Sequence, residues 1–130
     1  TPGFLEPWIA DPAHRTRLER YSEAAGIDLV AHGTVSDADT IRDTAIAQPL
    51  IVAASLLSAH ALLDGRRERV GAVAGHSVGE FAAAAVAGVL SDVDAVRLVR
   101  ERGLAMADAA AVVPTGMSAV LGGDEDALAA

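Results

Sequence analysis

The sequence VGAVAGHSVGE at residues 70–80 joins a short apolar run to a helical pattern through a turn, and the expected fold is built around it. Residues 70–74 are small or apolar and include β-branched valines, which predicts a short buried strand. The letters GHSVG that follow fit the pattern G-x-S-x-G, and an alanine-rich helical pattern begins at Glu80. A strand, a tight turn centred on Ser77 and a helix form the context in which such a serine is a nucleophile.

The turn supplies the physical reason for placing a nucleophile there. A tight turn forces Ser77 into a strained backbone conformation, and Gly75 and Gly79 leave room for neighbouring chain and substrate. The hydroxyl then lies at a helix N-terminus, where free N–H groups and the helix dipole favour developing negative charge. The N–H of Val78, the residue after the nucleophile, is the natural oxyanion donor. The alternative is a capping box, in which Ser77 and Glu80 only cap the helix.

Composition and charge exclude several classes of protein. The 130 residues suffice for one small domain with a core, and an apolar content of 52% excludes disorder. The chain has no cysteine, which excludes disulfides and thiol catalysis and fits a cytoplasmic location. The net charge of −8 argues against a nucleic-acid-binding surface. No apolar run reaches the roughly 18 residues of a membrane span, so we expect no membrane segment.

Both ends of the chain look cut, because the first residue is Thr1 rather than methionine and the last, Ala130, lies in a helix-like stretch. We therefore expect the chain to be part of a longer protein. Near its end, Pro114 marks a change in composition. A strand is predicted at 117–121 and the start of a helix at 124–130, which makes a subdomain boundary plausible here.

Three helices are predicted before the central stretch, of which one is a short helix within residues 36–43. Asp11 followed by a proline predicts a helix start, and that helix runs to about Ala25. Residues 45–63 are almost wholly apolar, which is typical of a buried helix, and Pro49 should open or kink it. Gln48 is then a polar side chain beside irregular backbone at the head of this helix. It either bonds to nearby main chain or shapes a site.

Two helices are predicted after the serine. One covers residues 80–87, and the second, capped by Ser91 or Asp92, runs to about Ala109. Ser77 lies 11 residues before the glycine at 88, and the arginine at 102 lies 11 residues after Ser91. At the helical rise of ~1.5 Å per residue, residues 77–88 and residues 91–102 each span about 16 Å. Because a short loop favours antiparallel neighbours, we expect the arginine to return to the level of the serine.

Arg102 lies at the edge of the apolar face of the second helix, about 70° from its centre at the ~100° per residue of an α-helix. An arginine at a buried edge needs an anion. That anion is either an internal carboxylate or the carboxylate of a substrate, which the planar guanidinium can bind with two hydrogen bonds.

The letters GHSVGE at 75–80 resemble the nucleophile motif of malonyl-CoA:acyl carrier protein transacylases and of the related acyltransferase domains of fatty acid and polyketide synthases. Further similar stretches are AQP at 47–49, RG at 102–103 and TGMSAV at 115–120. The resemblance covers essentially the whole chain and implies an α/β fold. Residues 1–112 would be part of an α/β-hydrolase-like subdomain, and residues 113–130 the start of a ferredoxin-like subdomain.

The resemblance also implies an activity and the roles of individual residues. Ser77 would be acylated by malonyl-CoA and would pass the malonyl group to the phosphopantetheine thiol of an acyl carrier protein, with no bound cofactor and no metal. Arg102 would pair with the malonyl carboxylate, and the Val78 N–H would be one oxyanion donor. Gln48 would help to shape the pocket. His76 would be a motif residue of the substrate site rather than the general base.

The family's second oxyanion donor and its general-base histidine match nothing in this chain. We therefore expect little turnover from the 130 residues alone, and a non-catalytic fragment stays an alternative. A serine esterase or thioesterase of the α/β-hydrolase type is a further alternative. It differs from the transferase in predicting acylation by neutral esters and indifference to the loss of Arg102.

Overall fold

The computed structural model describes residues 1–113 and 120–123, and in this part of the chain every regular element is a helix. The α-helices are α1 (Pro12–Ala25), α2 (Leu29–Thr34), α3 (Thr44–Leu63), α4 (Gly79–Val86) and α5 (Asp92–Val112). Single turns of 3-10 helix lie at Thr40–Arg42 and Arg67–Arg69. Helix α3 lies at the centre, since it contacts each of the other α-helices.

Helix α1 begins and ends where its sequence predicts. The carboxylate of Asp11 accepts a hydrogen bond from the Ala13 N–H at 2.8 Å, and Pro12 occupies the first helical position. The helix ends at Ala25, and Gly26 follows in the left-handed conformation with φ 64°. Both ends therefore follow from local chemistry.

Helix α3 is long and apolar enough to cross a membrane by length and composition alone. The expectation that no stretch of the chain meets that test is therefore wrong. A buried core helix of a globular domain meets the same test. The four surrounding α-helices bury one face of α3, which includes Leu56 and Leu57, while Ile51 and Leu62 are exposed.

Pro49 lies inside α3 rather than at its start, because the helix already begins at Thr44. The proline nitrogen carries no hydrogen, so the carbonyl of Ala45, four residues earlier, lacks its helical partner. Nη1 of Arg100 on α5 donates to that carbonyl at 2.5 Å. The proline thus creates a main-chain acceptor that joins α3 to α5.

Helix α5 approaches the same turn of α3 through Gly103. A Cβ atom at this position would lie 3.0 Å from the Cα of Ala45 and 3.0 Å from the carbonyl oxygen of Thr44. Both neighbours are backbone atoms, which cannot rotate aside. Glycine therefore allows the two helix backbones to touch at this level.

Replacing Gly103 with alanine should lower the free energy of unfolding by roughly 1–2 kcal/mol, because overpacking outweighs the gain in helix propensity. Urea unfolding of the full-length protein would measure the change, and Gly103→Ser should be destabilised further. A stability gain of about 1 kcal/mol, the value that helix propensity alone predicts, would contradict the close contact.

Helices α4 and α5 are joined by a short loop, as predicted. Gly88 lies just beyond α4 with φ 81°. The Ser91 hydroxyl caps α5 by accepting from the Asp94 N–H at 3.1 Å. Helix α5 then continues to Val112, three residues beyond the predicted end at Ala109. The two helices contact each other along this antiparallel arrangement.

The strand predicted at 70–74 is not formed among the described residues. Residues 71–74 are exposed, and none of the described segments pairs with them. A strand needs a neighbour for its backbone N–H and C=O groups, and an apolar run alone does not supply one. An open cavity of about 570 Å³ lies beside this segment, between the end of α3 and α4. The prediction of a buried strand is therefore wrong for the described part of the chain, and the α/β class is not shown there.

The second subdomain stays a prediction. Of the strand predicted at 117–121, only residues 120 and 121 are described, and they belong to no regular element. The helix predicted at 124–130 lies outside the described residues.

A polar cluster ties α1, α3 and α5 together. Oδ2 of Asp92 accepts from the Tyr21 hydroxyl at 2.8 Å and lies 2.6 Å from Nε2 of His60. Burial raises the pKa of Asp92, but hydrogen bonds from His60 and Tyr21 outweigh burial, so the pKa of Asp92 lies below its ordinary value. Burial and the bond to Asp92 raise the pKa of Tyr21, which keeps its proton.

Replacing Tyr21 with phenylalanine should lower the free energy of unfolding by about 1 kcal/mol at pH 7, because one hydrogen bond to a carboxylate is lost. A carboxylate with a depressed folded-state pKa contributes stability above its unfolded pKa of about 4, and this is lost as the pH falls through the folded-state pKa. Denaturation of the full-length protein at a series of pH values should therefore show the difference shrinking below about pH 4. A constant difference down to acid pH would contradict this account.

Candidate active site

The turn between the apolar segment and α4 holds Ser77 in a rare backbone conformation. Its φ is 55°, and among the described residues it is the one non-glycine residue with positive φ. Such a conformation costs on the order of 1–3 kcal/mol and persists only where the surrounding structure holds it. The predicted strain at the serine is therefore present.

The two glycines of the motif differ in what surrounds them. A Cβ on Gly75 would lie 2.3 Å from the carbonyl carbon and oxygen of Gly79 and 2.4 Å from the Glu80 nitrogen, so no other residue fits. A Cβ on Gly79 would meet nothing within 4 Å. The space left by the missing side chain at Gly75 is thus occupied by main chain, as predicted, whereas the corresponding position at Gly79 faces open space.

The hydroxyl of Ser77 does not cap α4. Val78 occupies the N-cap position and no side chain bonds to the first turn there. The Ser77 carbonyl accepts from the Glu80 N–H at 3.1 Å, while the Ser77 Oγ accepts from an arginine of α5. The capping-box alternative is therefore wrong. In the part of the chain that the structure describes, the Val78 N–H donates no hydrogen bond, as an oxyanion donor requires.

Arg102 returns to the level of the serine, as the residue count predicts. Its Nη2 donates to Ser77 Oγ at 3.0 Å. The two residues lie 25 positions apart, and the antiparallel α4 and α5 bring them together. The predicted proximity is confirmed, while the chemical role of each side chain stays a prediction.

Gln48 joins the same group from α3. It is 6% exposed, and its Oε1 accepts from Nη1 of Arg102. Its Nε2 donates to the Thr44 hydroxyl at 2.8 Å and to the sulfur of Met106 at 3.3 Å. Both amide hydrogens are therefore bound by side chains. Of the two alternatives for Gln48, the bond to nearby main chain is wrong.

The charge of Arg102 has no carboxylate partner among residues 1–113 and 120–123. Its two observed acceptors, Gln48 and Ser77, are both neutral. Of the two predicted anions, an internal carboxylate is thus not observed in this part of the chain. A half-buried guanidinium with neutral acceptors next to a strained serine can bind an anionic group that reaches the serine.

His76 does not join this group. Its side chain is exposed and lines the open cavity beside α3 and α4 rather than the Arg102 side of the turn. Within the described residues its ring makes no hydrogen bond to Ser77 or Arg102. Its assignment as a substrate-binding residue stays a prediction without a contact behind it.

Sequence reasoning missed Thr44 and Met106. Thr44 lies four residues before Gln48 on α3, and Met106 lies four residues after Arg102 on α5. Residues four apart share a helix face, so this spacing could have identified both neighbours. The unpartnered carbonyl before Pro49 could likewise have predicted a donor from another helix.

The sequence matches the family model described as the acyl transferase domain over residues 12–128. It is 52% identical over 123 residues to a malonyl CoA-acyl carrier protein transacylase of Mycolicibacterium smegmatis, covering 94% of this chain and 42% of that relative. A relative of the same name from Escherichia coli K12 is 34% identical over 130 residues, covering 99% of this chain and 42% of its own length. The chain thus spans less than half of these curated relatives.

Solved structures agree with the sequence matches. The crystal structure of MCAT from Mycobacterium tuberculosis superposes with a TM-score of 0.87 at 52% identity, over 98% of this chain and 43% of that one. A type II PKS acyl-carrier protein complex with its malonyl-transacylase matches with a TM-score of 0.69 at 29% identity, over 88% of this chain and 36% of that one. The resemblance read from the motifs is confirmed, and the chain belongs to the acyl transferase domain family.

Proposed function

We propose that the protein transfers a malonyl group from malonyl-CoA, through an ester on Ser77, to the phosphopantetheine thiol of an acyl carrier protein. The observation that carries this proposal is the Arg102 guanidinium 3.0 Å from Ser77 Oγ, with neutral acceptors only among the described residues. The names of the matched relatives, malonyl CoA-acyl carrier protein transacylases, support it.

The first half-reaction acylates the serine. Ser77 Oγ attacks the thioester carbonyl carbon, and its proton passes to a general base outside the described residues. The N–H of Val78, at the start of α4, donates to the oxyanion that develops on the carbonyl oxygen. Collapse of this tetrahedral intermediate breaks the C–S bond, and coenzyme A leaves as the thiol after it receives the proton.

The second half-reaction returns the serine to its free form. The carrier thiol attacks the ester carbonyl and gives its proton to the same base. The C–O bond to Ser77 then breaks, the oxygen regains a proton, and the malonyl group leaves as a carrier thioester. An acyl carrier protein and coenzyme A are the partners that this ping-pong scheme requires.

Arg102 selects the acyl group in this scheme. The malonyl carboxylate carbon lies two bonds from the acyl carbon, so on the acylated serine it lies close to a guanidinium that already contacts Ser77 Oγ. The carboxylate supplies the anion that the described residues do not. A neutral acyl chain would displace the existing bonds without compensating the charge, which disfavours it.

Two further parts of the proposal concern organisation and place. Residues 1–112 would form part of an α/β-hydrolase-like subdomain and residues 113–130 the start of a ferredoxin-like one, by analogy with the family. The protein would act in the cytoplasm and bind no cofactor, nucleic acid or membrane. The esterase alternative lacks support, because a neutral ester gives Arg102 no role and the matched relatives are transacylases.

Intact mass measurement on the full-length protein tests the proposal. Malonyl-CoA should add one malonyl group, and acetyl-CoA should add no comparable label. The adduct should disappear in Ser77→Ala but persist in Ser55→Ala, whose hydroxyl bonds to the Ile51 carbonyl on α3. Equal labelling by both thioesters, or a malonyl adduct that survives Ser77→Ala, would overturn the proposal.

A further inference from the structure

We propose that Thr44 and Met106 are positioning residues that fix the orientation of the Gln48 amide and, through it, the guanidinium of Arg102. The inference rests on the proposed function, since it concerns how the same site selects its acyl group. Neither residue needs to touch the acyl chain for this effect.

The hydrogen-bonding capacities of the neighbours permit one orientation of the amide. Arg102 has only donors, and the thioether of Met106 can only accept. The amide oxygen must therefore face Arg102 and the amide nitrogen must face Met106, as observed. The reversed amide would point its N–H groups at the guanidinium and its oxygen at the sulfur. Thr44, which can both donate and accept, completes the observed arrangement by accepting the second amide hydrogen.

Burial makes this orientation costly to leave. Gln48 is 6% exposed, so water cannot readily replace a lost partner. Removing an acceptor leaves a buried N–H without a hydrogen bond. The penalty for reversing the amide then falls, because the observed orientation has lost one of the hydrogen bonds that favour it over the reversed one. The amide oxygen then no longer fixes the position of Arg102 Nη1, and the hydrogen bond from Nη2 to Ser77 Oγ is no longer held in place.

The close packing of α3 against α5 holds the residues around Gln48 within hydrogen-bonding distance of one another. Arg100 donates to the Ala45 carbonyl at 2.5 Å, and Gly103 lets the backbones of α3 and α5 touch one turn from Gln48. Thr44 therefore reaches the amide from its own helix, whereas Met106 reaches it from across the interface. Among residues 1–113 and 120–123, the guanidinium is held between a fixed amide and the serine rather than by a carboxylate.

The test compares acylation of the full-length protein by malonyl-CoA and acetyl-CoA. Thr44→Val and Met106→Leu keep the shape of each side chain but remove the acceptor. Each should lower the malonyl-over-acetyl ratio of kcat/KM by about three- to tenfold, the effect of one hydrogen bond. Thr44→Ser should keep the wild-type ratio. Thr16→Val is the matched control, because that hydroxyl bonds to the Pro12 carbonyl on α1.

A double-mutant cycle separates positioning from a direct role. In a Gln48→Ala background, Thr44→Val and Met106→Leu should cause no further change in the ratio, because the amide they orient is absent. An undiminished effect in that background would show that they act on the substrate or the fold directly and would overturn the inference. So would an unchanged ratio in both single variants.

Exchange of the Gln48 side-chain amide hydrogens, followed by NMR, tests the inference without turnover. Exchange should be slow in the wild-type protein and several-fold faster in Thr44→Val and Met106→Leu. Unchanged exchange would overturn the inference. If the wild-type protein forms no malonyl adduct, the proposed function fails, while this measurement still decides whether Thr44 and Met106 orient the amide.

Discussion

Replacing Arg102 with alanine should lower kcat/KM for malonyl-CoA by roughly 10²- to 10³-fold, which corresponds to about 3–4 kcal/mol. If Arg102 pairs with the malonyl carboxylate as proposed, the variant lacks that cation, and the carboxylate would enter a half-buried site without a counter-ion. Acylation by acetyl-CoA should stay the same or rise, because the charge that disfavours neutral chains is gone. The variant should therefore lose its selectivity for malonyl-CoA over acetyl-CoA, while Ser77 keeps its reactivity.

Acylation kinetics of the full-length protein with both thioesters would measure this change. Arg97→Ala is the matched control, since Arg97 lies on the exposed face of α5 and pairs with Asp94 at 2.9 Å. Arg102→Lys should give an intermediate loss, because an ammonium cannot span Gln48 and the serine as the planar guanidinium does. An Arg102→Ala variant that still prefers malonyl-CoA would remove the role assigned to the arginine.

Replacing Gln48 with glutamate should lower kcat/KM for malonyl-CoA by roughly 10²-fold. The new carboxylate would lie where the amide oxygen now contacts Arg102. It would pair permanently with the guanidinium and repel the incoming malonyl carboxylate. Acetyl-CoA should be affected far less, so the variant should lose most of its selectivity while it keeps the nucleophile.

Gln48→Met is the matched control for that result, because it removes the amide without adding a charge. Its loss should be several-fold smaller than that of Gln48→Glu. The same kinetic comparison measures both variants. Equal losses in the two would mean that charge at this position has no effect on the choice of acyl group.

Much of the site could be predicted from local rules. The turn at Ser77 follows from its glycines, and the loop between α4 and α5 follows from Gly88 and the Ser91 cap. Once those ends are known, counting residues along two antiparallel helices brings Arg102 to the serine. Local rules suffice here because sequence separation is short and each helix end has its own chemical signal.

What lay beyond prediction depends on the register between distant helices. Pro49 predicts an unpartnered carbonyl at Ala45, but only the packing of α5 shows that Arg100 fills it. The cluster that joins Tyr21, His60 and Asp92 from three helices is of the same kind. The strand predicted at 70–74 failed for a related reason. An apolar run indicates a preference for extended backbone, whereas strand pairing depends on a second segment.

The contact between Gly75 and Gly79 has a consequence for how such a protein can diversify. The bend that presents Ser77 is closed by main chain against main chain, with no side chain as a spacer. The residues proposed to select the acyl group, Gln48 and Arg102, lie instead on α3 and α5. New substrate preferences can therefore arise through exchanges on those two helices while the reactive hydroxyl stays in place. In the proposed site, the reactivity of Ser77 and the selection of the acyl group depend on different segments. Each could therefore change in evolution, or be redesigned, without the other.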